Sequence, residues 1–264
     1  GLYDFFGRVY FYRNYHDLFV PVAERVKGRL TIDAERNVRL IRAAGLAVLD
    51  EMIPSNEIQQ LRLYLMKRSI DADVVIDLHC DAQAAMHHFI SQRDWPAIAD
   101  LSAQIGAKAV MYNAPYPFTM TFSGCNGVDF DGKSIRKGAA DALNLYKFLQ
   151  RRKAVAGNPG PLPRALCTAT PMEGMDVGYA PVAGVLVYRL PEGSRVRKGE
   201  TICEIVDPQS VNPLKARTPV KANTAGMLFS RRPDGRPAWP GMVCFRIAGP
   251  KALPHRKGRS GLDD

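Results

Sequence analysis

The stretch Asp73-Val-Val-Ile-Asp-Leu-His-Cys-Asp81 delivers a histidine flanked by carboxylates at the end of an apolar run. An imidazole held by a carboxylate suits a zinc ligand, because the acid fixes the ring tautomer and raises its basicity. His79 is therefore the candidate metal ligand, with Asp77 and Asp81 as candidates for orienting it. The alternatives are a structural histidine at a strand end and two solvated acids. One imidazole does not hold a catalytic zinc, which takes three protein ligands. Nearby, His87 and His88 read as helix-surface residues or as support behind a metal ligand. Cys80 reads as a small buried filler, with no base beside it to make a nucleophile.

The element that must position His79 is a strand, since a short apolar run closed by polar residues marks a buried, parallel one. Ligands of open α/β sheets bind at the carboxyl ends of such strands. Around it, strand and helix signals alternate. A strand is expected at Arg8–Tyr12 and a helix around 38–50. Pro54-Ser-Asn-Glu57 offers an N-cap for a helix carrying Ile58, Leu61, Leu65 and Met66 on one face. After the Val74–Leu78 strand, Asp94-Trp-Pro opens a helix that stops at Gly106. Lys108–Tyr112 reads as a strand and Ser134–Arg152 as a closing helix. This alternation predicts an α/β domain over 1–156.

Asn158-Pro-Gly-Pro-Leu-Pro163 has the composition of a linker, placed at 157–164. Beyond it, over 165–250, short β-runs are punctuated by glycine. Ala180-Pro-Val-Ala-Gly184 leads to Gly199, and Ala222-Asn-Thr-Ala-Gly226 leads to Gly241; each glycine pair is 15 apart and the units are offset by 42. Two related β-units facing each other predict a small sandwich or barrel with pseudo-twofold symmetry. A basic tail occupies 251–264.

Composition narrows the function classes. The chain has 264 residues, 46% hydrophobic and 23% charged, the balance of an ordinary globular protein of one large or two smaller domains. No apolar run is long enough for a membrane span, and no signal-peptide pattern opens the chain. Five widely spread cysteines without a C-x-x-C pair argue against a disulfide framework and give a cytoplasmic expectation. The net charge of +10 is uneven: residues 1–150 carry 17 basic and 17 acidic side chains, leaving 19 and 9 beyond. Those cations are scattered among turns without an aromatic stripe, which argues against nucleic acid. Gly1 in place of Met, with a strand expected almost at once, gives the expectation that an upstream segment is absent.

Asp77-Leu-His-Cys-Asp81, Met86-His87, Trp95-Pro96 and Ile105-Gly-Ala107, in that order, resemble the succinylglutamate desuccinylase/aspartoacylase family of zinc-carboxypeptidase-like α/β hydrolases. Ala169-Thr-Pro-Met-Glu173, Ala180–Gly184, Val196-Arg-Lys-Gly-Glu200 and Ile205-Val-Asp-Pro208 resemble the β-domain that follows in many members. The similarity covers roughly residues 7–250. It implies a mixed sheet with flanking helices, N-terminally incomplete here, then a β-rich barrel-sandwich-like domain related to biotinyl/lipoyl modules. It also implies zinc-dependent cleavage of an amide or ester in a small N-acyl amino-acid-like carboxylate, so the expected partner is a small molecule. In the family, zinc is held by an early His-x-x-Glu and by the histidine that His79 matches. An Asn-Arg motif grips a substrate carboxylate, which maps onto Asn37 and Arg39 within Glu35-Arg-Asn-Val-Arg39. Zinc lowers the pKa of its water to about 7 and polarises the carbonyl; a guanidinium grips a carboxylate with two parallel hydrogen bonds.

The sequence departs from that pattern. No His-x-x-Glu occurs in residues 1–60, and no glutamate lies between Glu57 and Glu173, where the family keeps its general base. Asp129 and Asp131 are the substitutes on offer. Asn37 and Arg39 are not adjacent, and a surface ion pair is the commoner role for an arginine placed like Arg39 on a helix. A relative that keeps the scaffold to bind rather than cleave is the first alternative. A carrier module is the second, because Lys215 lies 11 residues before Gly226 as in biotin carriers, although without flanking methionines.

Overall fold

The computed structural model describes residues 16–72, 74, 76–79, 83–92, 95–113, 123–125, 134–212 and 214–258. The strand expected at Arg8–Tyr12 lies outside these, as do Cys80, Asp81, Asp94, Asp129 and Asp131. The chain forms two compact units that divide between residues 75 and 76.

In the first unit the described elements are helices α1 (His16–Val26), α2 (Ala34–Asp50) and α3 (Glu57–Ser69). Asp33 caps α2 by accepting from the Arg36 amide at 3.0 Å, and Asn56 caps α3 through the Gln59 amide at 2.9 Å. Both are residues whose short acceptor satisfies an orphan N–H of the first turn. Ala44, Gly45, Val48 and Leu49 form the buried stripe of α2 at helical spacing. A Cβ on Gly45 would come within 2.2 Å of Ile70 Cδ1, so the Ile70 side chain packs directly over this glycine. The expected apolar face of α3 is not a buried one: no residue of α3 is buried, and Leu61 and Leu65 are exposed.

The second unit opens with a mixed sheet of order β1-β5-β3-β4-β6. Its strands are β1 (Asp77–His79), β3 (His87–Ser91), β4 (Ala109–Asn113), β5 (Ser123–Cys125) and β6 (Ala169–Pro171); β2 (Gln83–Ala84) belongs to another sheet. β1 runs parallel to β5, β5 antiparallel to β3, and β3, β4 and β6 are mutually parallel. Helices α4 (Trp95–Gln104) and α5 (Ser134–Arg151) accompany this sheet, as the alternating pattern predicts. Gly106, at φ +68, ends α4.

The stretch read as a linker at 157–164 does not separate two compact units. Beyond it, β6 pairs with β4, and before it β2 pairs with β12 (Gly226–Arg231). One core joins Phe89, Ala109 and Met111 to Met175, Val177 and Phe229. The stretch itself is held back on α5, where Arg151 donates to the Gly160 carbonyl at 3.2 Å.

The remaining strands are β7 (Met175–Tyr179), β8 (Gly184–Tyr188), β9 (Arg195–Val196), β10 (Thr201–Val206), β11 (Arg217–Lys221), β13 (Pro237–Ala238) and β14 (Val243–Ala248). They form an antiparallel sheet β11-β10-β8-β13 and a second, β2-β12-β14-β7, with β9 on β12. Each of β7 to β10 recurs 42 residues later as β11 to β14, so the glycine echo marks a true structural repeat. The halves exchange strands: Val196 of β9 pairs with Gly226, and Ala238 of β13 pairs with Gly184. Glycine is needed for two different reasons. A Cβ on Gly184 or Gly226 would meet the carbonyl oxygen of Val206 or Ala248 at 2.5 or 2.2 Å. Gly199 and Gly241 have open space but lie at φ +82 and +84, which side chains disfavour.

Candidate functional site

His79 is the last residue of β1, the strand-end position that the apolar run predicts. It pairs with Cys125 of β5, which pairs in turn with His87 of β3. Two strand spacings, about 10 Å, therefore separate the His79 and His87 backbones along one row of the sheet. The side chains of Asp77 and His79 lie outside the description, and Asp81 does so altogether.

His87 and His88 are not on a helix surface. Both stand in β3, each only 1% exposed. The β-prone Phe89-Ile90 continues the pair into a strand covered on both faces, and alternation sends the two rings to opposite sides. His87 Nδ1 donates to the Ala85 carbonyl at 2.8 Å, and its ring packs edge-on to Phe89 and tilted against Phe229, with centroids 5.1 and 4.8 Å away. His88 Nδ1 hydrogen-bonds Ser102 Oγ of α4 at 2.6 Å. Burial, with His87 beside it, pushes the His88 imidazole down to about 4, so the ring is neutral at pH 7.

Asn37 and Arg39 both lie on α2 but do different things. Asn37 Oδ1 accepts from the Thr31 amide at 2.9 Å while Nδ2 donates to the Thr31 carbonyl at 2.6 Å. Its amide is thus spent on pinning the turn before α2. Arg39 is 70% exposed, 3.7 Å from the Glu35 carboxylate, the surface ion pair weighed as its alternative. It also lines an open cavity of about 550 Å³ with Arg29, Thr31 and Arg36. Arg29 and Arg36 were missed as companions; the three-residue spacing of Arg36 and Arg39 on one helix was the available signal.

Lys215 is exposed in the turn joining β10 and β11, its amide donating to the Asn212 carbonyl at 3.0 Å. Among the described residues, no three His, Cys, Asp or Glu side chains converge as a metal site. No described helix is long and apolar enough to cross a membrane.

Comparison with known proteins places this architecture. No family model and no curated protein matches the sequence. Solved structures do match. A succinylglutamate desuccinylase/aspartoacylase family protein from Shewanella amazonensis SB2B superposes with a TM-score of 0.69 at 12% identity, over 86% of this chain and 69% of its own. One from Shewanella frigidimarina NCIMB 400 does so at 0.69 and 14%, over 92% and 71%. The product-bound ectoine utilization protein EutE (DoeB) of Ruegeria pomeroyi follows at 0.56 and 14%, over 78% and 67%. The mixed α/β architecture is shared with these structures. More narrowly, it is the fold of the succinylglutamate desuccinylase/aspartoacylase family that the sequence motifs resemble.

Proposed function

We propose that this chain is a deacylase of the desuccinylase/aspartoacylase type, cleaving an amide or ester bond of a small N-acyl amino-acid-like carboxylate. The observation that carries this is His79 at the carboxyl end of β1, in a chain whose fold resembles those structures. Arg39, beside a cavity shared with Arg29 and Arg36, is the candidate grip for a carboxylate. The 42-residue strand repeat supports a barrel-sandwich-like module in the second half, and the scattered, odd cysteines support a cytoplasmic protein.

The described residues do not fit a catalytic zinc by themselves. Among them no three His, Cys, Asp or Glu side chains come together, where three ligands are needed. Zinc remains the cofactor that the family resemblance implies for His79.

A second reading is a binding protein built on the same scaffold. It is favoured by the absence of any glutamate between Glu57 and Glu173. The experiment that separates them is incubation of the purified protein with a panel of N-acyl amino acids, with zinc in excess. Release of free amine supports the deacylase. Saturable binding of an intact N-acyl amino acid, followed by calorimetry without amine release, supports the binding protein.

A further inference from the structure

Two thiols deep in the β-rich region take no part in the proposed chemistry. Cys203 of β10 and Cys244 of β14 are both 0% exposed and share one apolar core with Leu186, Ile202 and Ile247. They belong to opposite sheets and to opposite halves of the 42-residue repeat. Each thiol lies close enough to perturb the other, and Cys244 Sγ donates to the Met242 carbonyl at 3.7 Å.

The backbone explains the meeting. The register of β14 shifts between Val243 and Phe245, which leaves Cys244 as the extra residue of a bulge. Tyr188 then fixes the pair from a third strand. It stands opposite Cys203 in the β8–β10 ladder, and its hydroxyl donates to the Cys244 carbonyl at 2.6 Å. That same hydroxyl accepts from the Arg232 amide at 3.1 Å. Cys203 and Cys244 are thus connected twice, by the proximity of their thiols and through one tyrosine.

We propose that Cys203 and Cys244 are a redox modification site: hydrogen peroxide converts them into a reversible disulfide that staples one sheet to the other. The Cys244 thiolate attacks one peroxide oxygen, forming an S–O bond and breaking O–O, and the other oxygen leaves as water after protonation. The Cys203 sulfur then attacks the Cys244 sulfur, forming S–S as the S–O bond breaks. The departing hydroxide takes the Cys203 proton. Two thiols lose two electrons and one peroxide becomes two waters. The proximity of the two thiols lowers the pKa of Cys244 and, with burial, raises that of Cys203, which suits Cys244 as the first to attack; the disulfide formed is the same in either order. Peroxide is neutral and little larger than water, so local opening of the core admits it where a bulky charged oxidant is excluded.

The test uses the full chain. It is treated with hydrogen peroxide under native conditions, denatured, blocked with N-ethylmaleimide, digested and mapped by mass spectrometry. The expected result is a cross-linked peptide pair holding Cys203 and Cys244. Dithiothreitol removes that pair, and the oxidised protein melts at higher temperature than the reduced one, because the bridge closes a long loop in the unfolded chain. Cys203→Ala abolishes the pair; should that variant not fold, the wild-type map decides alone. Full alkylation of both cysteines, sulfinic acid without a cross-link, or pairing of either with another cysteine overturns the proposal. None of these outcomes depends on whether the protein cleaves N-acyl amino acids.

Discussion

Gly199 donates its amide to the carbonyl of Ala222 at 2.7 Å, tying the turn of one half-repeat to the entrance of the other. Its counterpart 42 residues on, Gly241, donates to Ala180 at 2.9 Å. The two halves are therefore mutually dependent: neither completes its own ladder, and each supplies the turn contacts and the short strand that the other lacks.

Substitution of the two kinds of glycine separates space from conformation. Gly226→Ala forces a Cβ to 2.2 Å from the Ala248 carbonyl oxygen and 2.9 Å from Ile247 Cγ2, and is expected to unfold the region or cost about 3 kcal/mol or more. Gly199→Ala meets no atom but must hold φ near +82, a cost of about 1–2 kcal/mol. Urea denaturation of the two variants checks the order.

His88 makes stability depend on pH. Its folded pKa is about 4 against 6.5 for the free group. The unfolded chain therefore binds a proton first on acidification, so the stability contributed above pH 6.5 is lost as pH falls toward 4. The full span is about 3 kcal/mol. Urea midpoints measured from pH 7 to pH 4.5 should fall, and the fall should be shallower in His88→Leu, which has no proton to take up.

Ser102→Ala tests the same contact from the other side. It leaves a buried ring nitrogen unpaired, at an expected cost of about 1–3 kcal/mol, with no change at exposed Arg39. Thermal unfolding at pH 7 reads the loss directly.

Asn37 and Arg39 should part company. Asn37→Ala removes both hydrogen bonds to Thr31 and lowers stability by about 1 kcal/mol. Arg39→Ala, at an exposed residue, leaves the melting temperature within a degree or two and weakens carboxylate binding instead. Calorimetric titration with an N-acyl amino acid, beside thermal melts, distinguishes the two.

Zinc binding by the 264-residue chain should be weak, since a single imidazole leaves most of the coordination sphere to water. Equilibrium dialysis should show no stoichiometric binding at micromolar zinc, and tight binding at one equivalent would mean that further ligands converge on His79.

The helix Glu57–Ser69 was legible from its local cap and Ser134–Arg151 from its periodicity, whereas Ala34–Asp50 was legible only from residue 38 because the Asp33 cap went unread. The strand end at His79 was legible from a local pattern too: a run of apolar residues stops there. The glycine echo was legible since both turns and close approaches demand the same residue at the same offset. What stayed hidden depends on partners far away in sequence. The three-residue strand Ala169–Pro171 is too short to signal itself and is made a strand by β4. His88 is buried because Ser102 and the helix bearing it cover the strand, and Cys244 meets Cys203 because of a bulge that no local pattern announces. Asn158–Pro163 has the residues of a linker, yet Arg151 binds its backbone to a helix.

The most direct measurement is the initial rate of free-amine release from an N-acyl amino acid by wild-type protein and His79→Ala, across a zinc titration. The rate should rise in the wild type only at zinc far above the micromolar range, as weak loading of His79 requires, and stay at the uncatalysed level in the variant. Equal, zinc-responsive rates in both would show that the imidazole closing β1 has no part in cleaving the acyl bond.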